Sequence, residues 1–176
     1  MEDLKTKDTK ALLKANEELT YKSPYGYFNF GPSVDGIYVS SLPSIDIKNG
    51  RFNKNIHLLL GHTKDDGILF TPPWIRSDDE LRSFVQTLFP NITKVALDKI
   101  ANFYPINATD DKGKIAQVSD LLDDVSIQCN NYYLSEAKLK LTRPFPFVFR
   151  YVFNVPPAVH AADVPYTVRV TCLLST

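Results

Sequence analysis

Two stretches of the sequence carry residues that could work together as an acid and a base. Asp65 and Asp66 follow the apolar run IHLLL (residues 56–60), and His160 follows a second apolar run, PFVFRYVFN (residues 146–154). A carboxylate beside an imidazole holds one tautomer of the ring and stabilises its cation, so that the imidazole can take a proton from a serine. The pattern therefore predicts nucleophilic chemistry supported by an acid–histidine pair.

The same residues also have a structural interpretation, and spacing alone favours it. Asp65 and Asp66 would then cap the short helix that follows them, and His160 would be an ordinary loop residue. His57 lies inside the first apolar run and is predicted to be structural. His62 lies close to the acidic turn and could stabilise the acid without itself taking part in the reaction.

The nucleophile that such a pair needs is missing from the sequence. A serine nucleophile of the α/β-hydrolase type sits in a G-x-S-x-G turn, because only small residues fit around the strained serine. None of the seven glycines brackets a serine in that way, and the nearest segment, GPSVDG, places Asp35 where the second glycine should be. No HGGG-like stretch supplies an oxyanion hole. The alternative is a nucleophile drawn from Ser33, Ser44 or Cys172.

The predicted elements alternate between strands and helices. The apolar runs at 56–60 and 146–154 are too continuous for half-exposed strands and are typical of the interior of a parallel sheet. Ser77 and Glu80 form the pattern of a capping box at a helix start. The helical stripes are Leu12, Ala15 and Leu19; Leu81, Phe84, Val85 and Leu88; Leu97, Ile100, Ala101 and Tyr104; and Ile115, Val118, Leu122, Val125, Cys129 and Tyr132. Strand, several helices and strand in that order predict an α/β fold with parallel strands.

Composition narrows the possible partners. The chain has 176 residues, 44% of them hydrophobic, and its 20 basic and 20 acidic side chains balance. Because no basic run appears, nucleic acid is not an expected partner. No apolar stretch reaches the roughly 18 residues of a membrane span. The two cysteines form no CxxC, and no histidine has metal-ligand spacing, so neither a metal nor a cofactor is predicted.

Three blocks of the sequence resemble a known family in the family's own order. They are SPYGYFNFGPSVDG, GRFNKNIHLLLGHTKDDGILFTPP and FRYVFNVPPAVHAADVPYT. They resemble the C-terminal part of type B carboxylesterases and lipases, especially fungal secreted members, a group that includes cholinesterases and non-catalytic neuroligins. The resemblance implies the C-terminal portion of an α/β-hydrolase fold, with an incomplete sheet. It implies a partial domain over residues 1–170 and a non-matching tail at 171–176.

The resemblance also assigns roles to the acid and the histidine. The family's triad acid falls on Asp66, in place of the usual glutamate, and its triad base falls on His160, with Ala161 in place of the following glycine. The family's N-terminal half, with its elbow and oxyanion loop, is expected to be absent. The chain is thus interpreted as a carboxylic ester hydrolase segment that is inactive alone and acts on esters only when joined to that half. The alternative is a non-catalytic, cholinesterase-like interaction protein.

The family resemblance and the first residues of the chain point to different cellular locations. Relatives of this type are usually secreted, yet the first ten residues, MEDLKTKDTK, are polar and lack the apolar core of a secretory signal. The sequence therefore leaves the location of this chain open.

Overall fold

A computed structural model describes residues 2–25, 31–141 and 147–167. The α-helices are α1 (Glu2–Lys5), α2 (Thr9–Lys22), α3 (Pro43–Lys48), α4 (Asp78–Leu88), α5 (Lys94–Phe103), α6 (Asp111–Asp123), α7 (Cys129–Leu141) and α8 (Val164–Thr167). The strands are β1 (Leu58–Thr63) and β2 (Val148–Phe153). A 3-10 helix spans Asp66–Phe70, and a π-helix spans Asp124–Gln128.

The two strands lie side by side and run parallel. Leu58 pairs with Val148 at one end of the ladder, and Thr63 pairs with Phe153 at the other. A parallel pair needs a long crossover, which α4 to α7 supply between the strands. Both strands therefore end at the same edge, and the acidic turn and the histidine loop leave from that edge. The predicted α/β class with parallel strands is confirmed.

The predicted burial of the strands is wrong in the described structure. Leu59 is 71% exposed and Phe149 is 61% exposed, and these two residues pair with each other in the ladder. The described sheet has only two strands, with α7 packed against it, so the apolar side chains of its open face meet no other element. The strand β1 also runs on to Thr63 instead of ending at Leu60.

The core lies among the helices of the crossover. Ser77 accepts a hydrogen bond from the Glu80 amide at the start of α4, as the capping box predicts. Thr93 caps α5 in the same way through the Ala96 amide. The buried core residues are Ile75, Leu81, Phe84, Val85, Leu97, Val118, Leu121 and Leu122. Half of the predicted stripe members on α4 and α5 are in this set, and Leu88, Ile100 and Tyr104 pack against it partly buried, so these two helices are confirmed with their inward faces.

The stripe that starts at Ile115 is helical throughout, but not regularly so. The helix α6 passes into the π-helix Asp124–Gln128 and then into α7 without a break. The π-helical segment is a feature that the spacing did not predict. It inserts one residue into the helical repeat, so the residues around Val125 turn away from the buried face, and Val125 itself is 37% exposed.

The N-terminal region carries less of the core. The predicted helix is present as α2, but none of its residues is buried. The helix α3 in the turn-rich region was not predicted. The aromatic residues 27–30 and Pro146, which begins the second apolar run, lie outside the described residues. Among the described helices, none is long and apolar enough to cross a membrane.

Candidate functional site

Asp66 is the first residue of the 3-10 helix and lies three residues beyond β1. Its side chain is buried, with only 3% of the residue exposed. The backbone N–H of Thr63 donates to Oδ2 of Asp66 at 2.7 Å. This bond holds the carboxylate of Asp66 against the end of β1. The backbone of Thr63 therefore sets the direction in which the other oxygen, Oδ1, points.

His160 lies in the loop after β2 and meets this carboxylate. Its Nδ1 is 2.8 Å from Oδ1 of Asp66. Because an ionised carboxylate only accepts hydrogen bonds, Nδ1–H is the donor and the ring is the tautomer that carries its proton there. The ring also packs edge-on against Phe70, with 4.9 Å between ring centroids. Nε2 is then the nitrogen that can accept a proton from a nucleophile.

The side chain of His160 is 45% exposed, whereas that of Asp66 is 5% exposed. The pair thus consists of a buried acid and a partly accessible base, the distribution that an acid–histidine dyad needs. The structure brings together the two residues that the sequence predicted as a pair across 94 positions of the chain.

Asp65 has a different part from the one predicted. It occupies the position that precedes the 3-10 helix, but its side chain makes no capping hydrogen bond there. Its backbone instead forms an isolated parallel bridge with Val159, and its N–H donates to the carbonyl oxygen of Ala158 at 2.9 Å. This bridge lies beyond the last pair of the ladder, Thr63 with Phe153, and joins the acidic turn to the loop that carries His160.

Gly67 lets the acidic turn pack closely on α6. A Cβ atom at this position would lie 2.4 Å from the carbonyl oxygen of Ser119 and 2.9 Å from the amide nitrogen of Asp123. Both neighbours are backbone atoms of a helix and cannot move aside cheaply. The glycine after the acid is therefore required by contact, and it places a second carboxylate, Asp123, close to Asp66.

Asp123 is 2% exposed, and its Oδ1 has no hydrogen-bond partner in the part of the chain that the structure describes. Burial raises the pKa of this carboxyl to about 6, and the negative charge of Asp66 adds to the rise, while the Gly67 amide and His62 oppose it. A buried carboxyl without a full set of partners is costly to ionise, so Asp123 keeps its proton to a higher pH than an ordinary aspartic acid does. Sequence reasoning missed this residue, whose one signal is its place in an acidic run.

A large apolar groove opens beside the histidine. Its volume is about 1130 Å³. It is lined by Thr20, Tyr21, Ser23, Pro24, Tyr25, Phe70, Trp74, Phe84, Leu88, Phe89, Leu122, Val125, Ser126, Ile127 and His160. Among these described residues none is an acid, a lysine or an arginine. The groove is suited to the uncharged part of a ligand, and His160 is the only titratable base among these described lining residues.

The other histidines stay in structural positions. Nδ1 of His57 accepts a hydrogen bond from the Phe147 amide, and its ring stacks on the Phe147 ring, as expected of a structural histidine. His62 lies on β1, with Nδ1 2.9 Å from the Thr63 carbonyl oxygen. Among the described residues, no group of three or more His, Cys, Asp or Glu side chains could hold a metal ion.

The candidate nucleophiles lie elsewhere. Ser33 is in an exposed loop and Ser44 is in α3, and no hydrogen bond joins either to His160 within the described residues. Cys172 lies outside the described residues, as does the tail at 171–176. Cys129 is a free, half-buried cysteine at the start of α7 and is not part of the buried core cluster.

The histidine loop contains a strained residue. Ala161 has φ +65, in the left-handed region where a Cβ atom is disfavoured. Replacing Ala161 by glycine is expected to raise the free energy of unfolding by about 1 kcal/mol, measured by urea denaturation. The neighbouring Ala162 has no positive φ, so Ala162→Gly should lower that free energy by about 0.5 to 1 kcal/mol. Equal losses in both variants would contradict the strain at Ala161.

Comparison with known proteins gives a consistent picture. The model of the carboxylesterase family matches residues 1–175. Carboxylesterase patB of Penicillium expansum is 26% identical over 172 residues, which are 93% of this chain and 29% of that protein. The inactive carboxylesterase-like protein VdtD of Byssochlamys spectabilis is 31% identical over 81 residues, which are 46% of this chain and 14% of that protein.

A solved structure shows the same fold. The crystal structure of EstA from Aspergillus niger, an α/β-hydrolase, superposes with a TM-score of 0.68 at 21% identity. The match covers 81% of this chain and 28% of EstA. The chain thus spans less than a third of the length of these relatives. The predicted partial α/β-hydrolase fold is confirmed.

Proposed function

This chain belongs to the carboxylesterase family, and from that premise we propose that Asp66 and His160 are the acid and the base of a serine-dependent ester hydrolysis. The observation that carries the proposal is the 2.8 Å contact between Nδ1 of His160 and the buried carboxylate of Asp66. A carboxylate held by the Thr63 amide and reaching one nitrogen of a half-exposed imidazole is the arrangement that activates a serine hydroxyl.

The proposed reaction uses both nitrogens of the ring. Nε2 of His160 takes the proton from a serine hydroxyl as the serine oxygen attacks the ester carbonyl carbon. Asp66 stabilises the imidazolium that forms, and Nε2 then gives the proton to the alcohol as the ester bond breaks. In the second half, Nε2 takes a proton from water, whose oxygen attacks the acyl-enzyme, and returns that proton to the serine.

The serine itself is proposed to lie outside these 176 residues. No G-x-S-x-G turn occurs in the sequence, and without the nucleophile and its oxyanion hole the chain alone should not turn over esters at a measurable rate. The domain division into residues 1–170 and a tail at 171–176 stays a prediction.

The groove beside His160 suggests the class of ester. Its described lining holds aromatic and aliphatic side chains and no charged group other than the histidine when protonated. An ester with an uncharged, apolar acyl or alcohol part matches these walls, because burial of apolar surface contributes about 25 cal/mol per Å². A cationic ester would find no carboxylate there to offset its desolvation.

The proposal is tested on the native protein that contains this chain. An antibody against the peptide of residues 9–22, which form the exposed helix α2, captures it from source cells. The captured material is assayed with p-nitrophenyl butyrate and labelled with a fluorophosphonate, and the free peptide serves as the competing control. We expect ester turnover that disappears when the free peptide competes for the antibody. We also expect the fluorophosphonate to label a single serine, in a segment that is not part of these 176 residues.

A second function is favoured by one relative. VdtD carries the description of an inactive carboxylesterase-like protein and matches 46% of this chain. A non-catalytic, cholinesterase-like interaction protein would give neither turnover nor labelling in the capture experiment. That result would overturn the hydrolase proposal and leave the interaction role.

A further inference from the structure

The loop that carries His160 is held at two ends, and only one end involves the acidic turn. At its start, the bridge between Asp65 and Val159 ties the loop to the end of β1. At its far end, Asp163 accepts a hydrogen bond from the Tyr151 hydroxyl through Oδ2 at 2.7 Å. Tyr151 belongs to β2, so this second tie runs from the sheet directly to the residue three places after His160.

The position of Tyr151 is set by the absence of a side chain opposite it. Tyr151 pairs with Gly61 in the ladder, and a Cβ atom on Gly61 would lie 2.0 Å from Cζ of the Tyr151 ring. The ring therefore lies across β1 at a place where only glycine leaves room. From this position its hydroxyl reaches Asp163, and the bond to that carboxylate raises the pKa of Tyr151.

Asp163 holds the rest of the loop through its backbone. Its carbonyl oxygen accepts hydrogen bonds from the amides of Tyr166 and Thr167, and from Oγ1 of Thr167. The side chain of Asp163 thus anchors the start of α8 to the sheet, while its backbone begins the helix. The His160 loop is enclosed between the Asp65 bridge and this anchor.

We propose that Tyr151 and Asp163 are positioning residues that hold His160 within hydrogen-bond distance of Asp66. Neither touches the reacting atoms; each acts through the path of the loop. The anchor joins the far end of the loop to β2, so its removal loosens that end even where the ring contact between Phe153 and Tyr166 remains. The His160 ring would then be free to leave Oδ1 of Asp66. This proposal rests on the proposed function only for its effect on turnover, and its structural part stands independently.

The test removes one hydroxyl in the full chain. Tyr151→Phe keeps the ring over Gly61 and deletes only the group that donates to Asp163. The readout is the proton NMR signal of Nδ1–H in His160, assigned by its disappearance in His160→Gln. We expect the signal to be present in the parent and in Tyr132→Phe, a matched change at an exposed tyrosine of α7, and to be lost or broadened in Tyr151→Phe.

A cycle of variants separates positioning from a general loss of stability. Tyr151→Phe, Asp163→Ala and the double variant should lose the Nδ1–H signal alike, because all three remove the same hydrogen bond. In the native protein, each should lower kcat between about 10-fold and 100-fold with KM unchanged. A retained Nδ1–H signal in Tyr151→Phe, or its absence in the parent, overturns the positioning role.

The outcomes also keep the two proposals apart. If the signal is lost in Tyr151→Phe but the native protein hydrolyses no ester, the positioning role stands and the hydrolase proposal fails. If the native protein is active and Tyr151→Phe keeps both signal and kcat, the hydrolase proposal stands and the positioning role fails. If Tyr151→Phe does not fold, the signal is read in Asp163→Ala instead, where its retention overturns the role.

Discussion

Replacing Asp66 by asparagine is expected to lower kcat for ester hydrolysis by the native protein about 10⁴-fold, with little change in KM. The carboxylate accepts Nδ1–H of His160 through Oδ1 and the Thr63 amide through Oδ2. An asparagine that keeps the Thr63 bond with its oxygen turns its NH₂ group toward Nδ1. The imidazole must then carry its proton on Nε2, where it cannot accept one from a serine.

The neighbouring acid provides the matched control. Asp65→Asn removes a carboxylate one residue away, in the same turn, and leaves the backbone bridge to Val159 intact. Its kcat should stay within about 3-fold of the parent, because a half-buried charge at this distance from the imidazole is partly screened by solvent. Steady-state assays with p-nitrophenyl butyrate distinguish the two variants. An equal loss of kcat in both variants would mean that the total negative charge of the turn matters, and it would contradict a specific role for Asp66.

The nearness of the acidic turn to the His160 loop was predictable from topology, whereas the choice of Asp66 over Asp65 came from the family resemblance. Each of the two segments follows an apolar run, and the carboxyl ends of parallel strands meet at one edge of a sheet. The helices α4 and α5 were predictable for a local reason, since their capping residues and apolar spacing act within a single turn. Ser77 caps through the Glu80 amide, as the two residue types alone indicate.

Other features depend on contacts that no local pattern contains. The π-helix Asp124–Gln128 is a single turn, and the apolar residues on either side of it still follow one another at steps of three and four. Its extra residue is therefore not visible in the sequence pattern. The exposure of Leu59 depends on which strands lie beside β1, and IHLLL has the same composition in either case. The hydrogen bond from Tyr151 to Asp163 requires Gly61 across the ladder, and the register sets that relation.

The buried carboxyl of Asp123 makes the strongest prediction about stability. Its pKa of about 6 in the folded chain lies above the ordinary value of 3.8, so the folded state binds its proton more tightly than the unfolded state does. The stabilising contribution is complete below about pH 4 and is lost as the pH rises through about 6. A shift of this size corresponds to about 3 kcal/mol between the two limits, a large part of a typical unfolding free energy.

Asp123→Asn should remove this pH dependence, because asparagine has nearly the shape of the neutral carboxyl and does not ionise. We expect the variant to equal the parent near pH 4 and to exceed it by about 3 kcal/mol in unfolding free energy at pH 8, measured by urea denaturation across that range. Asp120→Asn, a change at a largely exposed acid one turn earlier on α6, should give a smaller gain in the same direction, because partial desolvation and the charge of Asp124 also raise the pKa of Asp120. If the difference in unfolding free energy between Asp123→Asn and the parent does not grow between pH 4 and pH 8, Asp123 ionises without cost and its unpaired Oδ1 has a partner in solution. If Asp123→Asn changes the profile more than Asp120→Asn does, the buried carboxyl that Gly67 brings beside Asp66 is the one that the fold makes costlier to ionise.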